Sequence, residues 1–191
     1  MTALILNLRP AIDLTDEQFF QLCQNNRDLR LERTAEGDLI IMPPTGWKSG
    51  NRNAKLTARL ELWTEADGTG LAFDSSTGFK LPNGANRSPD ASWVRKERIE
   101  ALNPDPAKFL PMAPDFVVEL RSASDSLEIL QQKMQEYIGC GVRLGWLIDI
   151  QNQQVEIYRV GQKVEVLESP LSLSGEDVLP GFVLELKGIL S

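Results

Sequence analysis

The sequence predicts an α/β (α+β) fold in which a mixed β-sheet carries helices on its faces. Three observations lead there. Phe116-Val117-Val118-Glu119-Leu120 and Leu144-Gly145-Trp146-Leu147-Ile148-Asp149 are apolar runs of strand length. Between them lies a helical stretch with Leu127, Leu130 and Met134 on its inner side. Strand, helix and strand in that order make a right-handed crossover. Upstream, residues 49–66 place Leu56, Leu60 and Trp63 at i, i+4 and i+7, the signature of a second core-facing helix.

The remaining elements follow from local signals. Thr15-Asp16-Glu17-Gln18 reads as an N-cap and first turn, with Phe19, Phe20, Leu22 and Cys23 as the apolar face of a helix near 15–26. LRLER and DLIIM flank Ala35-Glu36-Gly37 as a hairpin, which Pro43-Pro44-Thr45-Gly46 stops. Asp67-Gly68 and Gly70 end the helix over 49–66. LAF and GFKL then read as strands, and Pro82-Asn83-Gly84 as a turn. Ala91-Ser92-Trp93-Val94 is a short strand directly after Ser88-Pro89-Asp90. Residues 95–113 are charged and proline-containing, a surface excursion with one short helix. Ser124 or Asp125 caps the crossover helix, which Gly139 and Gly141 close. QVEIYR and KVEVLE form a hairpin across Val160-Gly161-Gln162, and FVLEL is the last strand. The expectation is one domain over 1–191 with its core at about 49–150, an N-terminal helix-hairpin and a C-terminal β-hairpin.

Composition removes several classes of function. The chain has no histidine, which excludes a Ser-His-Asp triad and nearly every zinc enzyme site. Its net charge of −7 is wrong for a generic nucleic-acid coat, so a phosphate backbone could be met only by a local basic patch or by cations held on acids. No apolar run approaches bilayer length, and MTALILNLRP lacks the basic start of a secretory signal. Cys23 and Cys140 have no CxxC spacing and read as small thiols in a reducing compartment; the expected location is cytoplasmic.

Two acids stand out by context. Asp90 sits at the mouth of a strand, after a proline. Glu119 lies inside an apolar strand, where a carboxylate is costly unless it is paired or holds an ion. Carboxylates on adjacent strand ends can hold a hard divalent cation such as Mg²⁺. Such an ion would allow phosphodiester cleavage without histidine. Arg121 or Lys133 could supply a nearby positive charge.

SPDASWV, PDFVVELRSASDS and KMQEYIGCGVRLGWLID, in that order, resemble the Uma-type restriction endonuclease family, a branch of the PD-(D/E)XK nuclease superfamily. MPPTGWKSGNRNAKL and LSGEDVLPGFVLEL extend the likeness from about residue 15 to the end. The resemblance implies a restriction-endonuclease-like mixed sheet flanked by helices. It implies a Mg²⁺- (or Mn²⁺-) dependent endodeoxyribonuclease acting on DNA, with Asp90 and Glu119 as metal ligands and catalytic acids. The usual lysine two residues after the second acid is replaced by Arg121. Arginine cannot serve as a base. In related nucleases the lysine can migrate to the following helix, which makes Lys133 the better candidate for its role. A glutamate of the early hairpin approaches the site in this family, and Glu32 occupies that place. By analogy with enzymes that cut both strands, the chain is expected to form a homodimer.

Ordinary readings stand beside these. Asp90 could fix a turn, Glu119 could pair with Arg121 or Arg143, Glu32 could be a cross-strand partner and Lys133 a solvated helix residue. The Lys48, Arg52, Lys55, Arg59 stripe could track phosphates or be a wet face whose stems cover apolar area. Trp47, set among loop residues, is the tryptophan most open to a contact role. Two other functions compete. One is a weakly active or inactive nuclease-fold interaction module, favoured by Arg121 and the acidic charge. The other is a two-carboxylate glycosidase, disfavoured by 7% aromatic content.

Overall fold

The computed structural model describes residues 3–190. Its central sheet has six strands: β4 (Gly70–Asp74), β7 (Ala91–Arg95), β8 (Phe116–Arg121), β9 (Leu144–Asp149), β10 (Gln154–Arg159) and β11 (Glu165–Glu168). Their order is β11-β10-β9-β8-β7-β4. Only β8 and β9 run parallel in it, joined by the crossover helix α4 (Leu127–Gly139). The strand alternation assigns the faces. Val118, Leu120, Trp146 and Ile148 pack with Leu56 and Leu60 of α2 (Trp47–Asp67) and with Leu179, Phe182 and Leu184 near the C-terminus. Val117 and Leu147 point the other way, into a second core with Met134 and Tyr137 of α4. The apolar continuity of β8 and β9 therefore reflects burial on both faces.

A second sheet, ordered β1-β3-β2-β6-β5, lies against the α4 side, where its Phe79, Leu81 and Ala85 join that core. It consists of β1 (Leu4–Leu6), β2 (Arg30–Arg33), β3 (Leu39–Met42), β5 (Phe79–Lys80) and β6 (Asn86–Arg87). The expected hairpin is β2–β3, in register from Arg30↔Met42 to Arg33↔Leu39. Helix α1 (Asp16–Asn25) carries the expected capping box, with the Gln18 N–H donating to Thr15 Oγ1 and the Thr15 N–H to Gln18 Oε1. Helix α3 (Lys96–Leu102) is the short helix of the excursion, and β12 (Ser172–Ser174) pairs with β13 (Val183–Glu185).

Several boundaries differ from the sequence reading. Helix α2 begins at Trp47, two residues early, so Trp47 is helical rather than a loop residue. The position capping α4 is Ser126, without a side-chain bond; Asp125 instead accepts the Ser122 N–H at 2.8 Å. Strands β1, β6 and β12 were not expected, because two or three residues carry no period. Gly70 opens β4 rather than closing α2. A Cβ there would stand 2.1 Å from the Trp93 ring, so Gly70→Ala is expected to cost about 1–3 kcal/mol by overpacking. Urea denaturation of the variant checks this. Among the described residues, no helix is long and apolar enough to cross a membrane.

Candidate active site

The antiparallel register of β7 and β8 pairs Ala91 with Val118 and Ser92 with Val117. One further step sets Asp90 opposite Glu119, and residues opposite each other across a ladder project from the same face. Asp90 is fixed from two sides: the Leu120 N–H donates to Oδ2 and Asn53 Nδ2 of α2 donates to Oδ1, both at 2.9 Å. Glu119 is buried and faces α4. Its Oε1 accepts the Tyr137 hydroxyl at 2.9 Å and lies 2.9 Å from Lys133 Nζ. Among the described residues, nothing donates a hydrogen bond to its Oε2.

Lys133 and Tyr137 stand one turn apart on α4, so both reach the same carboxylate. Lys133 also donates to Glu32 Oε1 of β2 at 2.9 Å. Glu32 accepts the Ser88 N–H at 3.0 Å through the same oxygen, and Arg87 lies 3.2 Å from its Oε2. Arg87 in turn holds Glu136 of α4 at 2.6 Å. A residue that looks exposed in LRLER is thus 2% accessible, and both its oxygens are occupied. Glu32 reaches the site as a counter-ion of Lys133 and Arg87.

Burial pushes the Glu119 carboxyl up to about 7; the Lys133 charge opposes this, and the charges of Asp90 and Glu32 add to it. Burial likewise raises Asp90, against the Leu120 N–H and the charges of Lys133 and Arg30. Glu32 goes the other way: burial would raise it, but Lys133 and Arg87 outweigh burial and hold it ionised. Burial also disfavours the Lys133 ammonium, yet Glu119 and Glu32 together raise it above its ordinary value. The two carboxylates thus favour the charged form of Lys133.

Glu119 has a consequence for stability. Its folded value lies above its ordinary 4.5, so the folded state keeps a proton that the unfolded chain releases. The stabilising contribution is full below pH 4.5 and is lost as pH rises through about 7. The loss is on the order of 3 kcal/mol. Glu119→Gln, which cannot ionise, is expected to lose less stability than the native chain between those limits, as thermal denaturation across pH would reveal.

Arg121 is not brought to this group. Its guanidinium closes the end of β8 on Asp149 of the neighbouring β9, at 2.7 Å, and donates to the Asp125 carbonyl at 3.2 Å. Arg143, the other partner considered for Glu119, pairs with Asp177. Asp149 also accepts the N–H groups of Gln151 and Asn152, so it keeps partners if Arg121 is lost. Arg121→Ala is expected to cost about 1–3 kcal/mol in urea denaturation, without altering divalent-ion binding. Asn53, Arg87 and Tyr137 were missed by the sequence reading. Tyr137 had a signal, its i+4 spacing from Lys133; Asn53 and Arg87 had none.

Among the described residues, no group of three or more acids or cysteines is placed to hold a metal ion. A pair is a different matter. Mg²⁺ is commonly bound by one or two carboxylates, with water and substrate phosphate completing its shell. Asp90 and Glu119 offer hard oxygen donors, they repel each other, and Glu119 keeps Oε2 open. This donor set fits such an ion.

Comparison with known proteins agrees with the architecture. The crystal structure of "a putative nuclease belonging to DUF820 from Anabaena variabilis ATCC 29413" superposes with a TM-score of 0.79. The likeness covers 93% of this chain and 97% of that one at 21% identity, so it shows a shared fold. No curated protein matches in sequence. The profile of the Uma2 family, described as "Putative restriction endonuclease", matches residues 16–187. That span contains Glu32, Asn53, Arg87, Asp90, Glu119, Lys133 and Tyr137, and the chain belongs to the Uma2 family.

Proposed function

We propose that the chain is a metal-dependent endonuclease that hydrolyses DNA phosphodiester bonds, with Asp90 and Glu119 holding Mg²⁺ or Mn²⁺. The observation that carries this reading is the convergence of Asp90, Glu119 and Lys133, the last at 2.9 Å from Glu119. Family membership and the nuclease-like fold support the reaction class. When bound, the ion would supply Lewis-acid stabilisation of the phosphoryl charge. The protein's own groups do the rest. The Leu120 N–H and Asn53 hold the Asp90 carboxylate in place. Tyr137 and Lys133 engage one Glu119 oxygen and leave the other without a donor among the described residues. Lys133, whose charged form Glu32 and Glu119 favour, would lend positive charge beside the acid pair as water adds to phosphorus and the ester bond breaks. Glu32, itself anchored by Arg87 and the Ser88 N–H, fixes the direction of that ammonium.

The test is cleavage of plasmid and single-stranded DNA with Mg²⁺ or Mn²⁺ against an EDTA control. Metal-dependent cleavage that fails in Glu119→Gln is expected. A second reading, a nuclease fold kept as an interaction module, draws on Arg121, which stands where the family's lysine usually does and is spent on Asp149. Absence of cleavage under every condition, with ion binding intact, would favour it.

A further inference from the structure

Residues 39–60 contain Lys48, Arg52, Lys55 and Arg59 and no acid, in a chain whose net charge is −7. Half of this basic stripe is tied down. Lys55 donates to the Gly188 carbonyl, and Arg59 to the carbonyls of Glu185 and Lys187. These two fasten α2 to the C-terminal segment, yet keep their charge. The first turns of α2 are different. Trp47 is 79% exposed, although a ring of this size is highly buried on average. Trp63 is partly covered, and Trp93 and Trp146 are buried. Lys48 Nζ lies 5.5 Å from the Trp47 ring centroid, so a cation and an aromatic face are presented together.

The position of this pair matters more than its exposure. Asn53, which holds Asp90, is six residues along the same helix, a rise of about 9 Å. Arg30 pairs in register with Met42, the last residue of β3 before the loop leading to Trp47; its charge acts on Asp90 and its Nη2 donates to the Ser75 carbonyl at 3.3 Å. Its buried Nε has no hydrogen-bond partner among the described residues. Positive charge thus stands both at the open indole, on Lys48, and within reach of the acid pair, on Arg30.

We infer that the start of α2 is the docking surface for a single-stranded DNA segment, with Trp47 stacking on an unpaired base and Lys48, Arg52 and Arg30 following its phosphates into the site. Charge complementarity selects a polyanion. The open ring selects one with free base faces, because bases inside a duplex are already stacked on each other. Aromatic–base stacking of this kind tolerates any sequence and contributes strongly to single-strand affinity. This inference rests on the nuclease reading and names its substrate class.

The test uses the full chain in EDTA, where metal-dependent cleavage is off. A labelled oligo-dT strand and a duplex of equal length are titrated, reading anisotropy and tryptophan fluorescence. The single strand is expected to bind more tightly than the duplex and to quench the native fluorescence. Trp47→Ala should lose the quenching and weaken single-strand binding by about 5–100-fold, with Trp47→Phe restoring most of it. Thermal denaturation checks that these surface variants fold. Equal affinity for strand and duplex, undiminished binding by Trp47→Ala, or no binding of the single strand would each overturn the inference. Plasmid cleavage with Mn²⁺ separates this failure from that of the nuclease reading. If Trp47→Ala cuts plasmid and single strand as the native chain does, the docking surface is wrong and the nuclease stands. If the native chain cuts neither, the nuclease reading falls, whatever Trp47 binds.

Discussion

Glu119→Gln is expected to lower metal-dependent cleavage by roughly a thousand-fold, the loss implied by several kcal/mol of charge stabilisation. The substitution is nearly isosteric. It removes the ionised carboxylate but keeps an oxygen that can accept the Tyr137 hydroxyl, so the fold should survive it. Stability above neutral pH should rise, because the native Glu119, with its value pushed up to about 7, ionises there at a cost. Loss of activity with retained or increased stability is a combination that misfolding cannot produce. Single-turnover cleavage and thermal denaturation of the same preparation measure both. A variant that cleaves like the native chain would remove Glu119 from the reaction.

Lys133→Ala should have the second-largest effect and a different character. Removing one preorganised donor at a developing charge typically costs about 10²–10³ in rate. It also strips the shared cation from two buried carboxylates, Glu32 and Glu119. Breaking a buried pair from one side costs about 3–5 kcal/mol when the remaining charge is left uncompensated. Proton uptake by Glu119 should recover part of that, so the instability is expected to be worst at alkaline pH. Lys133→Arg keeps the charge and should retain most of the stability while losing activity. Urea denaturation across pH, alongside cleavage rates, separates the two effects. If Lys133→Ala were to cleave normally and Arg121→Ala were inactive, the roles assigned to these cations would be reversed.

The legible part of this protein is what local pattern can encode. The crossover β8–α4–β9 was readable because its strands are continuous apolar runs and its helix has a clear inner face. Asp90 and Glu119 stood out by context, Asp90 at the mouth of β7 after a proline and Glu119 as the one acid within an apolar strand. Lys133 was placed by its spacing on α4 and by the family resemblance. What stayed hidden depends on contacts distant in sequence. Arg121 and Glu119 share a strand parity, yet Arg121 turns to Asp149, an end-of-strand partner that only the parallel register of β8 and β9 supplies. Glu32 was placed near the site only through the family resemblance, and nothing in LRLER announces that Arg87 of β6 and Lys133 of α4 will take up its oxygens. The surroundings of Lys133 were hidden for the same reason: burial alone would lower its value, and only the two carboxylates from other elements reverse the sign.

The central claim is that Asp90 and Glu119 together form a divalent-ion site. The direct measurement is titration calorimetry with Mn²⁺ on the native chain, Asp90→Asn, Glu119→Gln and Arg121→Ala, above pH 7 so that Glu119 is ionised. Saturable heat in the native chain and Arg121→Ala, with its loss in both acid variants, is the predicted result. Indistinguishable heats in all four proteins would contradict the claim.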